Sequence, residues 1–275
     1  MNTQQIRISG WNLNGKHLPE WLSSHLGKLW QGEEVRSAVE GKLDMVYLQE
    51  APVFPEKGLS FQFQTPAGTV AGLDRHGKLW LGNVHSGLSL EHSKKRIAVQ
   101  MWGTLRGLEA PLHVLMLELL RFSGFVPLRG TVITRNGLGY LQLGSMDRMV
   151  FQGYDLLCEG LCWYSPRDGR IYGFDPASPS RIVSVILHQL VVLNPEQSSH
   201  RAQRLERTDA LSALQANTGT ALFQTNRQHT EFLIRDMVLQ HGVYHWAIPG
   251  NRPLATEQAY RLWERSSFSP RKFAI

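Results

Sequence analysis

VPLRGTVITRNGLGYLQLG, residues 126–144, is the stretch that decides the fold. Two apolar runs flank Asn136-Gly137. That dipeptide between alternating hydrophobic residues is the strongest short-range hairpin signal, because the tight turn needs positive φ at both central positions. Working backwards, EAPLHVLMLELLRFS (109–123) carries Leu112, Leu115, Met116, Leu119 and Leu120 at helical spacing. Pro111 falls where proline is tolerated, at a helix start, and Gly124 ends the segment. Working forwards, LLCEGLCWYSPRDGRIYGF (156–174) predicts a second hairpin turning at Asp168-Gly169, and IVSVILHQLVVLN (182–194) reads as a buried strand.

From about residue 207 the pattern turns helical, over TDALSALQAN, HTEFLIRDMVLQHG and ATEQAYRLWER, with VYHWAIP as a short strand before the last. Thr208 and Thr256 are the expected helix caps. The first hundred residues differ. PEWLSSHLGKL (19–29) has helical spacing, Leu43 to Gln49 reads as a strand, and residues 59–102 alternate apolar and polar between turn signals. The expected organisation is a small N-terminal α+β region over 1–104 and a mixed, antiparallel-rich α/β domain over 105–275.

Composition bounds the function only broadly. The chain has 275 residues, 42% hydrophobic and 19% charged, which is ordinary globular usage. The start, MNTQQIRISGWNLNGK, has no signal-type apolar run, and no stretch approaches a membrane span. Cys158 and Cys162 sit four apart in an expected strand, roughly 13 Å at the usual rise. That spacing is too wide for a disulfide, so reduced thiols and a cytoplasmic location are expected. The formal charge of +6 permits acidic protein or nucleic-acid partners. Lys94-Lys95-Arg96 and Arg201, Arg204 and Arg207 in HRAQRLER concentrate that charge. Such runs read first as solvated faces; no aromatic-interleaved basic stripe accompanies them.

The order of helix, hairpin, glycine, strand, Asp-Gly hairpin, strand and closing helices resembles the HPr kinase-related family, itself similar to the nucleotide-binding core of phosphoenolpyruvate carboxykinase. PLRGTVITRNGLGYLQLG at 127–144, QGYDLLCEGLCWYSPRDGRIYGFDPASPSR at 152–181, and DALSALQANTGTALFQ with GVYHWAIPG carry the likeness, which covers roughly residues 105–265. The resemblance implies a bacterial phosphotransferase fold in which GxxGxGKS/T follows the hairpin. Here Gly144 is followed by SMDRMVFQGYDLL, with no lysine and no GKS/T. A phosphate loop works through backbone N–H groups, a helix N-terminus, the lysine charge and a Mg²⁺-holding hydroxyl. Ser145 to Gln152 would make a helix only about 12 Å long. Where the family has a Ser-Asp-Asp, this chain has Cys158-Glu159-Gly160, and Arg129 stands where a histidine is usual. Gly144, Ser145, Arg148, Glu159 and Arg129 are the expected remnants of the phosphate site.

SGWNLNGK and LDMVYLQEAP also look like the first two motifs of the endonuclease/exonuclease/phosphatase nucleases, with Asn12 and Glu50 as the matching residues. The later GDxN and SDH motifs are missing. The simpler reading is a turn at Asn12–Gly15 and a strand end at Glu50. The resulting expectation is a non-catalytic, pseudokinase-like protein without catalytic residues, metal or cofactor, which binds a protein or peptide partner. A rebuilt phosphotransferase around Arg129, Arg148 and Glu159, or a nucleic-acid-associated basic protein, are the alternatives.

Overall fold

A computed structural model describes residues 6–8, 11–29, 41–55, 58–64, 70–93, 95–143, 154–194 and 203–247. These form two compact units. One runs to Phe125 and takes in Thr220–His229; the other comprises Val126–Gly219 and the chain from Thr230. No described helix is long and apolar enough to cross a membrane.

In the first unit the elements are β1 (Ile6–Ile8), β2 (Trp11–Lys16), α1 (Glu20–Leu29), β3 (Gly41–Leu48), β4 (Ser60–Gln64), β5 (Val70–Leu73), β6 (Leu79–Gly82), β7 (Gly87–Ser93), β8 (Arg96–Trp102) and α2 (Leu105–Phe122). The strands make one mixed sheet in the order β1-β2-β3-β8-β7-β6-β5-β4. β2, β3 and β8 run parallel, and the chain between β2 and β3 contains α1, as a parallel crossover requires. The region is therefore larger than the expected small sheet, because Trp11–Lys16 is a strand and not a turn. Leu13, Leu43, Met45, Leu88, Leu90, Ile97 and Val99 bury one face of it against Leu108, Leu112, Leu115 and Leu119 of α2.

α2 begins earlier than its proline. The Thr104 hydroxyl caps it by accepting from Gly107 N–H, while the Thr104 N–H donates to Ser86 Oγ at 3.1 Å. Pro111 thus lies inside the helix and removes one ladder bond, a cost of about 3 kcal/mol. The leucine stripe offsets it: four fully buried leucines contribute roughly 2 kcal/mol each. Gly107 must be small, since a Cβ there would collide with Ser86.

At the far end of α2 sits a buried ionic clamp. Glu118 and Arg121 are 0% and 2% exposed. Glu118 Oε1 accepts from Arg121 Nη1 at 2.6 Å and from the Leu222 N–H at 3.1 Å; Oε2 accepts from Asn226 Nδ2 at 2.8 Å. One carboxylate thereby fastens the returning segment Thr220–His229 to α2.

The second unit contains β9 (Val126–Arg135), β10 (Leu138–Leu143), β11 (Asp155–Ser165), β12 (Arg170–Asp175), β13 (Ser178–Asn194), β14 (Gln203–Arg204), α3 (Arg207–Thr218), the larger part of α4 (Gln224–His241) and β15 (Val243–Ala247). The hairpin at Asn136-Gly137 forms as expected, with φ of 53° and 76°, and Arg135 opposite Leu138. The second hairpin turns through Asp168-Gly169, pairing Ser165 with Arg170. α3 starts at Arg207 after Glu206, so Thr208 lies one residue inside rather than capping. The helix expected over 255–265, with Thr256, lies outside the described residues.

β13 organises this unit. Its first part pairs antiparallel with β12, Leu138 to Leu143 of β10 pair parallel with Ile186 to Val192, and β15 pairs parallel with Leu190 to Asn194. With β9 joined to β10 and β11, and β11 to β12, five strands close into a ring: β9, β10, β13, β12, β11 and back to β9. Every strand of the ring sends residues into one core with Ala210 and Leu214 of α3 and Leu233, Ile234, Met237 and Val238 of α4.

Glu118→Ala removes the carboxylate that accepts from Arg121, Leu222 and Asn226 in the core of the first unit, so a loss of about 3–5 kcal/mol is expected, read as a lowered urea midpoint. Adding Arg121→Met should recover part of it; a double variant less stable than the single would contradict the clamp.

Candidate functional site

The alternation along β9 settles which residues share a face. Val126, Leu128 and Val132 belong to the core, so Arg129, Thr131 and Ile133 lie on the opposite face. On β11 the core residues are Cys158, Cys162 and Tyr164, which puts Glu159, Leu161 and Trp163 on that same second face. Register then assembles a row: Glu159 opposite Thr131, and Thr131 opposite Gln142 of β10. Arg129 faces Leu161 one step along, so Arg129 and Glu159 are diagonal neighbours, about 7–8 Å apart at Cα. Arg129 is exposed, Glu159 and Thr131 are half-buried, and Gln142 is buried.

β11 is irregular on both sides of Glu159. A register shift falls between Leu156 and Cys158, and Gly160 has φ 86°, a conformation that glycine alone adopts without strain. Such irregularities re-aim side chains and recur beside functional sites. The row continues in aromatic company: Tyr140 packs edge-on to Tyr154 and His188, and the Arg135 guanidinium lies 5.2 Å from the Tyr154 ring centroid. Gln189, opposite Tyr140, is 2% exposed, yet among the described residues neither amide atom has a hydrogen-bond partner. A buried amide without partners costs roughly 1–3 kcal/mol, and such groups call for a functional account.

Of the residues expected from the sequence, the structure brings Arg129 and Glu159 to one face. Gly144, Ser145 and Arg148 lie outside the described residues. The ends of their connection are placed, however. Leu143 is opposite Gly130 and Asp155 opposite Thr134, on the two edges of β9, which sets the ends roughly 17 Å apart from strand rise and spacing. Thr131, Gln142 and Gln189 were not singled out from the sequence. The signal that could have found them is the phase of the β9 alternation, carried across to β10 and β11 by pairing.

Cys158, the neighbour of Glu159 on β11, points the other way. It is buried in the core; burial pushes its thiol up to about 12, helped by Glu159 and opposed by a hydrogen bond with the Val132 backbone. Cys162 is likewise buried and pushed well above the ordinary thiol range by burial, and its thiol donates to the Leu128 carbonyl. Both are free cysteines. Asn12 and Glu50, the residues shared with the nuclease motifs, are both exposed; Asn12 lies within β2 and Glu50 just beyond the end of β3.

A second polar cluster joins α4 to the ring. The Tyr164 hydroxyl lies 3.0 Å from His241 Nε2 and 3.2 Å from Gln240 Oε1, and Gln240 Nε2 donates to Asp236 at 2.7 Å. Burial holds His241 below the usual histidine range, against the pull of the His188 backbone and of Asp236. No family model matches the chain, and no curated protein matches it.

Two outcomes follow from these groups. His241, and with it His92, His113 and His188, is held neutral by burial in the fold and gains a proton on unfolding. The stability this carries is present above about pH 6.5 and is lost as pH falls through the lower folded values. Tm should therefore drop below that pH, and His241→Gln should make the drop shallower. Ellman's reagent should find no reactive thiol in the native protein at pH 8 and both cysteines after unfolding in guanidinium.

Proposed function

We propose that this chain is a non-catalytic protein derived from the HPr kinase-like fold, which binds a protein or peptide partner in the cytoplasm. The observation that carries this reading is the row Glu159–Thr131–Gln142 with Arg129 on its diagonal. A Mg-nucleotide site needs several oxygen ligands with concentrated negative charge, beside a loop of backbone donors. Here one carboxylate stands among a hydroxyl, an amide and a guanidinium, and the other position of the acidic pair is Gly160, which has no side chain to offer. A hydroxyl, an amide and a charge pair match the donors and acceptors of an extended peptide, which are read by main-chain and side-chain hydrogen bonds.

The chain length between β10 and β11 supports the same reading. A phosphate loop followed by a full crossover helix needs more residues than 144–154 supply. Two mixed sheets with antiparallel-rich strands and the two expected hairpins are compatible with such an ancestry.

Calorimetry with Mg-ATP tests it. The expected result is no saturable heat at micromolar to millimolar nucleotide. Micromolar binding that Glu159→Gln abolishes would overturn the reading in favour of a rebuilt phosphotransferase.

A further inference from the structure

Arg204 and Arg207 of HRAQRLER flank a cleft in the second unit that the face described above does not include. The cleft holds about 320 Å³ and is lined by Arg204, Leu205, Glu206, Arg207 and, from the end of α4 and the start of β15, Val238, Leu239, Gly242 and Val243. Its walls combine two chemistries. Leu205, Val238, Leu239 and Val243 are apolar, and Leu239 is 63% exposed. Phe232, two turns earlier on the same side of α4, is 66% exposed and extends the apolar stripe. Arg204 and Arg207 are exposed, and their side chains have no hydrogen bond or ion pair among the described residues.

The cleft is shaped by backbone geometry. Gly242 ends α4 at φ 65°, and the Arg204 guanidinium lies so close over it that a Cβ would come within 3.2 Å of Nε. The Leu205 N–H donates to the Val243 carbonyl at 2.8 Å, which ties the arginine segment to β15. β14 ends the strand order of its sheet, and both its residues are exposed. An extended chain can lie along it.

We propose that this cleft seats a short acidic-apolar segment of a partner protein. An apolar side chain packs on Leu205, Val238 and Leu239, and a carboxylate is held between Arg204 and Arg207. Charge complementarity selects this occupant: guanidinium forks match carboxylates in a bidentate way, and the floor needs an apolar group beside the charge. Glu206, between the two arginines in sequence, disfavours a continuous run of phosphates, whereas single carboxylates spaced by apolar residues avoid it. The inference rests on the reading of the chain as a protein-binding module and assigns a second contact to it.

Fluorescence anisotropy on the full chain tests it. The probes are a fluorescein-labelled peptide alternating leucine with glutamate, the same peptide with glutamine for glutamate, and a labelled single-stranded oligonucleotide of similar length. The acidic peptide should bind at low salt, and both the glutamine peptide and the double variant Arg204→Ala, Arg207→Ala should weaken binding roughly tenfold or more. Leu239→Asp should weaken it comparably through the apolar wall. The replaced side chains are exposed, so thermal melting should show an intact fold in each variant. Peptide binding that is absent, or that survives the double variant unchanged, would overturn the proposal. So would tighter, arginine-dependent binding of the oligonucleotide, or a dimer in sedimentation that the arginine changes dissolve. Nucleotide binding in calorimetry would sink the non-catalytic reading while leaving the anisotropy result standing, so the two failures are distinguishable.

Discussion

The parallel pairing of β10 with β13 is the constraint on which the second unit depends. β13 is long enough to serve three neighbours in turn, and Ile186 is the point where Leu138 and Arg170 meet it from its two edges. Closing the ring there leaves none of its five strands free to slip. A slip of one residue would exchange core and outer faces along a whole strand. The core face of β9 holds Leu128 and Val132, so such a slip would bury Arg129 and Thr131. Hydrophobic burial thus specifies, as a by-product, which polar side chains stand together on the other face.

The first unit solves a different problem. Its eight described strands form an open sheet, and its core is completed by a segment that returns from residue 220. Leu222 adds apolar burial to that core, while Glu118 supplies direction by accepting from Arg121, Leu222 and Asn226. A fully buried ion pair is rarely a net gain over an apolar substitute. Its use here is positional, because three donors converge on one carboxylate only when the returning segment sits in one register.

The two proposed binding surfaces of the second unit differ in how their charges are held. Glu159 lies in a row of strand neighbours whose positions are set by hydrogen bonding, on a strand bent by a bulge and by Gly160. Arg204 and Arg207 sit at a sheet end and a helix start, with an apolar wall beside them. A rigid polar row suits specific hydrogen bonding, and exposed arginines over leucine suit a segment that brings both an acid and an apolar group. The buried thiols Cys158 and Cys162 serve neither surface: both fill the ring core.

Local chemistry wrote the elements plainly. Asn136-Gly137 and Asp168-Gly169 specified their hairpins because few other residues accept those turns, and the leucine spacing of 109–123 specified α2 except for its start. That start was illegible, since the cap at Thr104 is supported by Ser86, a contact between residues eighteen apart. For the same reason the strand at Trp11–Lys16 read as a turn: Asn14 and Gly15 favour turns alone, and only pairing with β3 overrides them. Of the site, the sequence by itself determined the missing lysine and the single carboxylate at Glu159. Only the tertiary structure decided that Thr131, Gln142 and Gln189 join that face, that Cys158 leaves it, and that Arg204 and Arg207 meet the end of α4. Facing and proximity across strands are properties of register, which depends on long-range pairing and burial and not on neighbours along the chain.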